Sequence, residues 1–240
     1  MIREALQYLV GLAPANKVTL DGITYTDKPL HKQNPPSPNT LVAHTLDAAV
    51  TYLQHNKDKL AIPRMAIHVV SPECVRILGP LDNTYMQRHV YMEVLADLPR
   101  HSFGQYMDVE EFLPYLKACF EDSRDRDTIL QIVGNLVEEN SITTKDDGIT
   151  QQVTAKTGVA RVENVNCPNP VTLAPFCTFP EVECQPMREF VFRMRKGPTC
   201  ALIPADGNSW KVRAIESVAA CLEQRLDEML PEGHGVSIIA

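Results

Sequence analysis

The 240-residue sequence lacks most of the short patterns that announce an activity. There is no G-x-S-x-G elbow, no G-x-G-x-x-G fingerprint, and no H-E-x-x-H, H-x-E or H-x-H pair. The short-motif routes to an esterase, a dinucleotide enzyme or a zinc peptidase are therefore closed. Seven cysteines are present, an odd number, and no two form C-x-x-C. That argues against a disulfide framework and against a zinc knuckle, so reduced thiols and no metal or cofactor are expected. No stretch approaches the roughly eighteen apolar residues of a membrane-spanning helix. At the start, "MIREALQYLVGLAPANK" has its apolar run interrupted by Glu4 and Gln7, as in an amphipathic helix and unlike a signal peptide. Basic excess is missing too. Lys and Arg number 23 against 30 Asp and Glu, a net charge of −7, so a diffuse footprint for duplex DNA is excluded while a local basic groove is not.

What is present is an ordinary globular composition, 44% hydrophobic and 22% charged. Proline (18) exceeds glycine (11), and its clusters at 29–38 and 168–186 mark extended connections. Periodicity predicts a helix over 2–12 and a tight hairpin over 17–27 around Asp21-Gly22. It then predicts a helix capped by Asn39 or Thr40 and running to about His55, with Leu41, Thr45, Ala48, Ala49, Tyr52 and Leu53 inward. Strands follow at 65–70, 74–79 and 89–96. A helix over 108–120 has Asp108 as N-cap and Glu111 three residues on, and another helix spans 127–139. Further strands are expected at 159–165, 171–179, 189–195 and 200–205, a helix at 212–230, and a strand in the tail. The class is α+β: a mixed first half, then an antiparallel β-rich second half closed by a C-terminal helix. The chain divides at about 122 into 1–122 and 123–240, or continues as one domain.

The stretch "TTKDDGITQQVTAKTG" (143–158) invites two readings. A phosphate loop needs Gly directly before the lysine and another Gly five residues earlier. Ala155 and Thr150 occupy those places, so the reading fails. Asp146-Asp147-Gly148 between alternating arms reads instead as a hairpin turn, with Ile149, Val153 and Ala155 on one face. The same turn chemistry accounts for Asp146 and Asp147 better than a nuclease carboxylate cluster does.

The most suggestive chemistry lies in "REFVFRMRK" (188–196). Arg193 and Arg195 share one strand face, opposite Phe192 and Met194, while Arg188 and Lys196 flank them. Trp210, the sole tryptophan, follows with Lys211 and Arg213. Guanidinium forks suit phosphate and an aromatic plane suits a base, so these five residues (Arg193, Arg195, Arg188, Lys196 and Trp210) form the candidate ligand site. The plainer reading is a solvated strand face with Trp210 in the core.

Taken in order, "TLVAHTLDAAVTYLQ", "IHVVSP", "FGQYMDVEEFLPYLK", "LQIVGNL", "TTKDDGITQQVTAKTG", "NPVTLAPFCTF" and "FVFRMRKGP" resemble an uncharacterised protein family of tailed phages and prophages, distantly similar to the YfdQ-type domain of unknown function. The resemblance covers most of the chain. It implies a phage gene product acting in the host cytoplasm and brings no catalytic residue set. The expectation is a non-enzymatic binding protein, a homo-oligomer without a membrane partner. Two binding roles compete for it, and an enzyme stays open as a third class, since active sites need not carry a short motif. One is host takeover or counter-defence, by sequestering a nucleotide-type signal or blocking a host protein. The other is an accessory role in phage DNA replication or recombination that touches single-stranded DNA.

Overall fold

Capping and turn chemistry set most element boundaries in the computed structural model, which describes residues 2–21, 23–28, 37–137, 143–146, 151–157, 161–167, 169–195 and 199–240. Two compact units divide the chain, 1–37 and 38–240. The first holds helix α1 (Ile2–Leu12) and an antiparallel hairpin of β1 (Lys17–Leu20) and β2 (Ile23–Thr26). Asp21 takes the left-handed conformation at its turn, φ 53°. The backbone and side-chain amides of Asn16 donate to the Asp27 carboxylate at 2.8 and 2.7 Å and close the hairpin's open end. Lys28 Nζ donates to the carbonyls of Gly11 (3.1 Å) and Ala13, where the end of α1 leaves acceptors unpaired.

The second unit runs β3 (Leu41–Ala43), α2 (Leu46–His55), β4 (Ala66–Ser71), β5 (Cys74–Leu78), β6 (Val90–Leu95), β7 (Met107–Asp108), α3 (Val109–Cys119) and α4 (Arg124–Val137). It continues through β8 (Thr143–Asp146), β9 (Gln151–Thr157), β10 (Arg161–Cys167), β11 (Val171–Leu173), β12 (Arg188–Arg195), β13 (Thr199–Pro204), α5 (Trp210–Met229) and β14 (Ser237–Ile239). The class is α+β, with an antiparallel sheet in the second half and a C-terminal helix. Among the described residues no helix is long and apolar enough to cross a membrane.

One sheet has the order β14-β4-β5-β6-β3, antiparallel in its centre and parallel at both edges. Here the expected start of α2 is corrected. Leu41–Ala43 form β3, because Met92–Val94 of β6 offers these backbones a parallel partner. The N-cap is Thr45, whose hydroxyl accepts the Ala48 N–H at 3.3 Å. Leu46, Ala49, Val50 and Leu53 then face inward. They meet Ile67, Val75, Ile77 and Val94 of the sheet and Val218, Leu222 and Leu226 of α5, so the C-terminal helix covers the first sheet. Truncating such a residue, Leu222→Ala for instance, costs about 2–5 kcal/mol. Gly235 lets the chain reach β14: its φ is 73°, and a Cβ there would lie 3.0 Å from Pro63 Cβ.

A second sheet, β11-β12-β13-β7, is fully antiparallel. α3 and α4 cover one face of it, with Phe112, Leu116, Ile129 and Val133 against Leu173, Phe190, Phe192 and Leu202. Asp108 caps α3 as expected, accepting the Glu111 N–H at 2.9 Å. Helix α4 begins three residues earlier than expected, behind Ser123, whose hydroxyl accepts the Arg126 N–H at 3.2 Å. The strand expected over 171–179 stops at Leu173, before the prolines. The parting expected at 122 falls inside this unit. Residues 107–119 belong with the second sheet, and residues 210–239 with the first.

A third sheet, β10-β9-β8, contains the hairpin stretch. β8 and β9 pair antiparallel, and Lys156 lies within β9 opposite Val162. Its backbone is therefore strand and not a phosphate loop. The Asp147–Thr150 turn and the side-chain faces of Ile149, Val153 and Ala155 lie outside the described residues.

Candidate functional site

Strand alternation divides the arginines of β12. Residues 188, 190, 192 and 194 turn inward and are buried, while 189, 191, 193 and 195 turn outward. Arg193 stands opposite Ala201 and Arg195 opposite Thr199 on β13. Thr199 in turn pairs with Asp108 of β7, and Tyr106 precedes that strand with the same parity as Asp108. The result is a contact the sequence does not announce: the guanidinium carbon of Arg195 lies 3.7 Å from the centre of the Tyr106 ring. At that distance the two form a cation–π pair, and Arg195 is exposed on the strand's outer face. Half-buried Arg193 stands two residues away on the same face. Exposed Glu189 and Asp108 bracket the pair, so the positive patch is short.

Arg188 and Trp210 come together, but elsewhere. Arg188 is 5% exposed and makes a forked ion pair with Asp206, Nε to Oδ2 at 2.7 Å and Nη2 to Oδ1 at 3.1 Å. Its guanidinium carbon lies 4.7, 5.2 and 5.3 Å from the ring centres of Trp210, Phe103 and Phe190. Hydrogen bonding from Arg188 holds the Asp206 carboxyl below its ordinary range. Trp210 is buried with Cys177 and Ala214, and its Nε1 has no hydrogen-bond partner among the described residues. The expected grouping is thus corrected. Arg188 has the wrong strand parity to join Arg193 and Arg195, and Trp210 belongs to the interior. Lys196 lies outside the described residues.

Next to this interior cluster sits His101, stacked on Phe103 at 4.7 Å. Its Nε2 donates to the Phe176 carbonyl at 2.9 Å, and Nδ1 faces the Tyr115 hydroxyl at 3.5 Å. Burial pushes its pKa down, which keeps the ring neutral. His101 is a packed core histidine.

A separate cleft of about 780 Å³ opens between the 181–184 segment, the start of α2 and α5. Glu181 Oε1 accepts the Leu46 N–H at 2.7 Å and so adds a second cap to α2. Arg225 pairs with Asp47 across the same cleft, which Cys184 and Cys221 also line. Among the described residues, no three His, Cys, Asp or Glu side chains are grouped to hold a metal ion, and six cysteines are free thiols.

No family model, curated protein or solved structure matches this chain. The site therefore has to be read from its own geometry. That geometry offers one planar cation held against one aromatic ring, with a second cation beside it.

Proposed function

We propose that this chain is a non-enzymatic binding protein for a compact, phosphate-bearing nucleotide, held on the outer face of the second sheet. The Arg195–Tyr106 stack beside Arg193 carries the reading. The exposed Arg195 guanidinium suits phosphate oxygens, half-buried Arg193 adds positive charge beside it, and the tyrosine ring adds a plane against which a base can lie. Guanidinium groups hold anions without exchanging protons near neutrality, which suits capture better than catalysis. Glu189 and Asp108 at the ends of the patch favour a small anion over a polymer, since single-stranded DNA needs a longer positive track. Joined to the resemblance to prophage proteins, this makes the chain a homo-oligomeric scavenger of a nucleotide-type signal in host takeover or counter-defence, inside an infected bacterium.

The test is a titration of the full chain with cyclic dinucleotides, ADP-ribose-type signals and single-stranded oligonucleotides. A nucleotide should bind, Arg193→Glu with Arg195→Glu should abolish that binding, and the exposed single variant Arg195→Glu should weaken it while the melting temperature shifts by only a few degrees, about what surface substitutions cost. Tyr106→Ala should weaken binding about tenfold. A double variant that binds as well as the parent removes this face as the site. Binding of oligonucleotides alone moves the reading to an accessory role on phage DNA.

A further inference from the structure

Helix α5 spends Val218, Leu222 and Leu226 on the first sheet, which turns Gln224, Arg225 and Glu228 to another side. Those three line the cleft of about 780 Å³, together with the 181–184 segment and Asp47 at the start of α2. The lining is unbalanced in charge. Four carboxylates, Asp47, Glu181, Glu183 and Glu228, stand against one guanidinium, Arg225, a net of −3. That guanidinium is already paired with Asp47. Glu228 has a neutral partner, accepting Gln224 Nε2 at 2.9 Å. Glu181 is only half satisfied. Its Oε1 accepts the Leu46 N–H at 2.7 Å, whereas Oε2 is closed to bulk water and has no hydrogen-bond partner among the described residues. A carboxylate oxygen in that position calls for a donor. Buried Val182 and half-buried Met229 add apolar surface to the same cleft.

We infer that this cleft is a binding site for a small aliphatic polyamine. Its volume falls in the range of small-molecule sites, about 300–1,000 Å³. An ammonium group carries three donors and no acceptor, so one such group supplies what Glu181 Oε2 lacks. Further ammonium groups along the chain answer Glu183 and Glu228, and the methylenes between them lie on Val182 and Met229. Among the described residues no three carboxylates or other ligating side chains are grouped to hold a metal ion, so the charge suits cations spaced along a chain and not one compact ion. The Arg225–Asp47 pair stands at the surface, with Asp47 58% exposed. A pair of that kind is weak and yields to an incoming ammonium. The cleft shares no residue with the Arg195–Tyr106 face, so this inference does not depend on the nucleotide reading.

Calorimetric titration of the full chain with spermidine, at about physiological salt, tests it. The parent should bind one equivalent. Glu181→Gln keeps an amide oxygen for the Leu46 cap and should weaken binding about tenfold. Glu228→Gln, exposed on α5, should weaken it in the same direction with its melting temperature unchanged. Arg225→Gln removes the competing cation and should strengthen it. Glu110→Gln makes the same change of net charge at the exposed start of α3 and should leave the affinity as it was. A folded parent that does not take up spermidine overturns the inference. So does an Arg225→Gln variant that binds less tightly. A Glu110→Gln variant weakened as much as Glu181→Gln also overturns it, because the uptake is then diffuse attraction to an acidic chain.

Discussion

Arg188 opens β12 and Trp210 opens α5, and the guanidinium carbon of the first lies 4.7 Å from the ring centre of the second. The contact ties the second sheet to the helix that covers the first. It leaves a buried cation paired with the half-buried carboxylate of Asp206, which also accepts the Asn208 N–H at 3.2 Å.

Arg188→Ala should therefore destabilise the chain by about 2–4 kcal/mol, because it empties the space among Trp210, Phe103 and Phe190 and removes the ion pair to Asp206. Arg195→Ala, on the exposed face, should change stability by no more than about 0.5 kcal/mol. Urea denaturation of both variants beside the parent checks the contrast. Equal effects would mean that the buried fork does not hold the two sheets together.

The same neighbourhood sets a dependence on pH. His101 has a folded pKa below its ordinary 6.5. As pH falls below 6.5 the unfolded chain takes up a proton that the folded chain resists, so stability declines until the folded pKa is passed. Asp206, also depressed in the folded state, adds a second loss below about pH 4. Denaturation at a series of pH values should give a shallower slope below 6.5 in His101→Phe than in the parent. The lower step should shrink in Asp206→Asn, with Asp27, also depressed by hydrogen bonds from Asn16, left to contribute.

Thiol chemistry should be ordered by burial. Cys184 is exposed, whereas Cys200 is fully buried and the Cys177 thiol is pushed up to about 12 by burial. Thiolate is the reactive form, so an alkylating reagent at neutral pH should modify Cys184 well before Cys177 or Cys200. Mass-spectrometric mapping over time reads the order. Early labelling of Cys177 would show that its surroundings open in solution.

Helix α2 has two N-terminal acceptors from distant parts of the chain, Thr45 Oγ1 and Glu181 Oε1. Thr45→Ala should cost about 1 kcal/mol. Glu181→Ala should cost about 1–2 kcal/mol, since an ionised acceptor makes the stronger bond. The pair should be non-additive in a double-mutant cycle, because both serve one helix end. Strict additivity in thermal melts would argue that the Glu181 contact is not formed in solution.

What could be read from the sequence was local. Asp108 and Glu111 mark the start of α3 because a cap is settled within four residues. The 17–27 hairpin was legible because Asp21-Gly22 fixes its register. The start of α2 was not, because Leu41-Val42-Ala43 fits a helix as well as a strand until β6 supplies a partner some fifty residues away. In the site, alternation separated Arg193 and Arg195 from Phe192 and Met194. Counting the same alternation back to Arg188 puts it on the inner face, a signal present in the sequence. Tyr106 gave no signal: only the pairing of β7 with β13 brings it to Arg195. Trp210 invited a base-stacking role by being the sole tryptophan, and its burial beside Arg188 comes from long-range packing.

The threading of the larger unit has a consequence for synthesis. Its first sheet lacks an edge strand and a covering helix until residues 210–239 have left the ribosome, although β4, β5 and β6 are complete after residue 95. Over that interval the apolar face of a half-built sheet stays open to other nascent chains. Pairings so distant in sequence also form slowly once the chain is free, because loop closure must precede them. A truncation ending before α5 should therefore be caught by chaperones or aggregate, even though it contains every residue of the candidate nucleotide site.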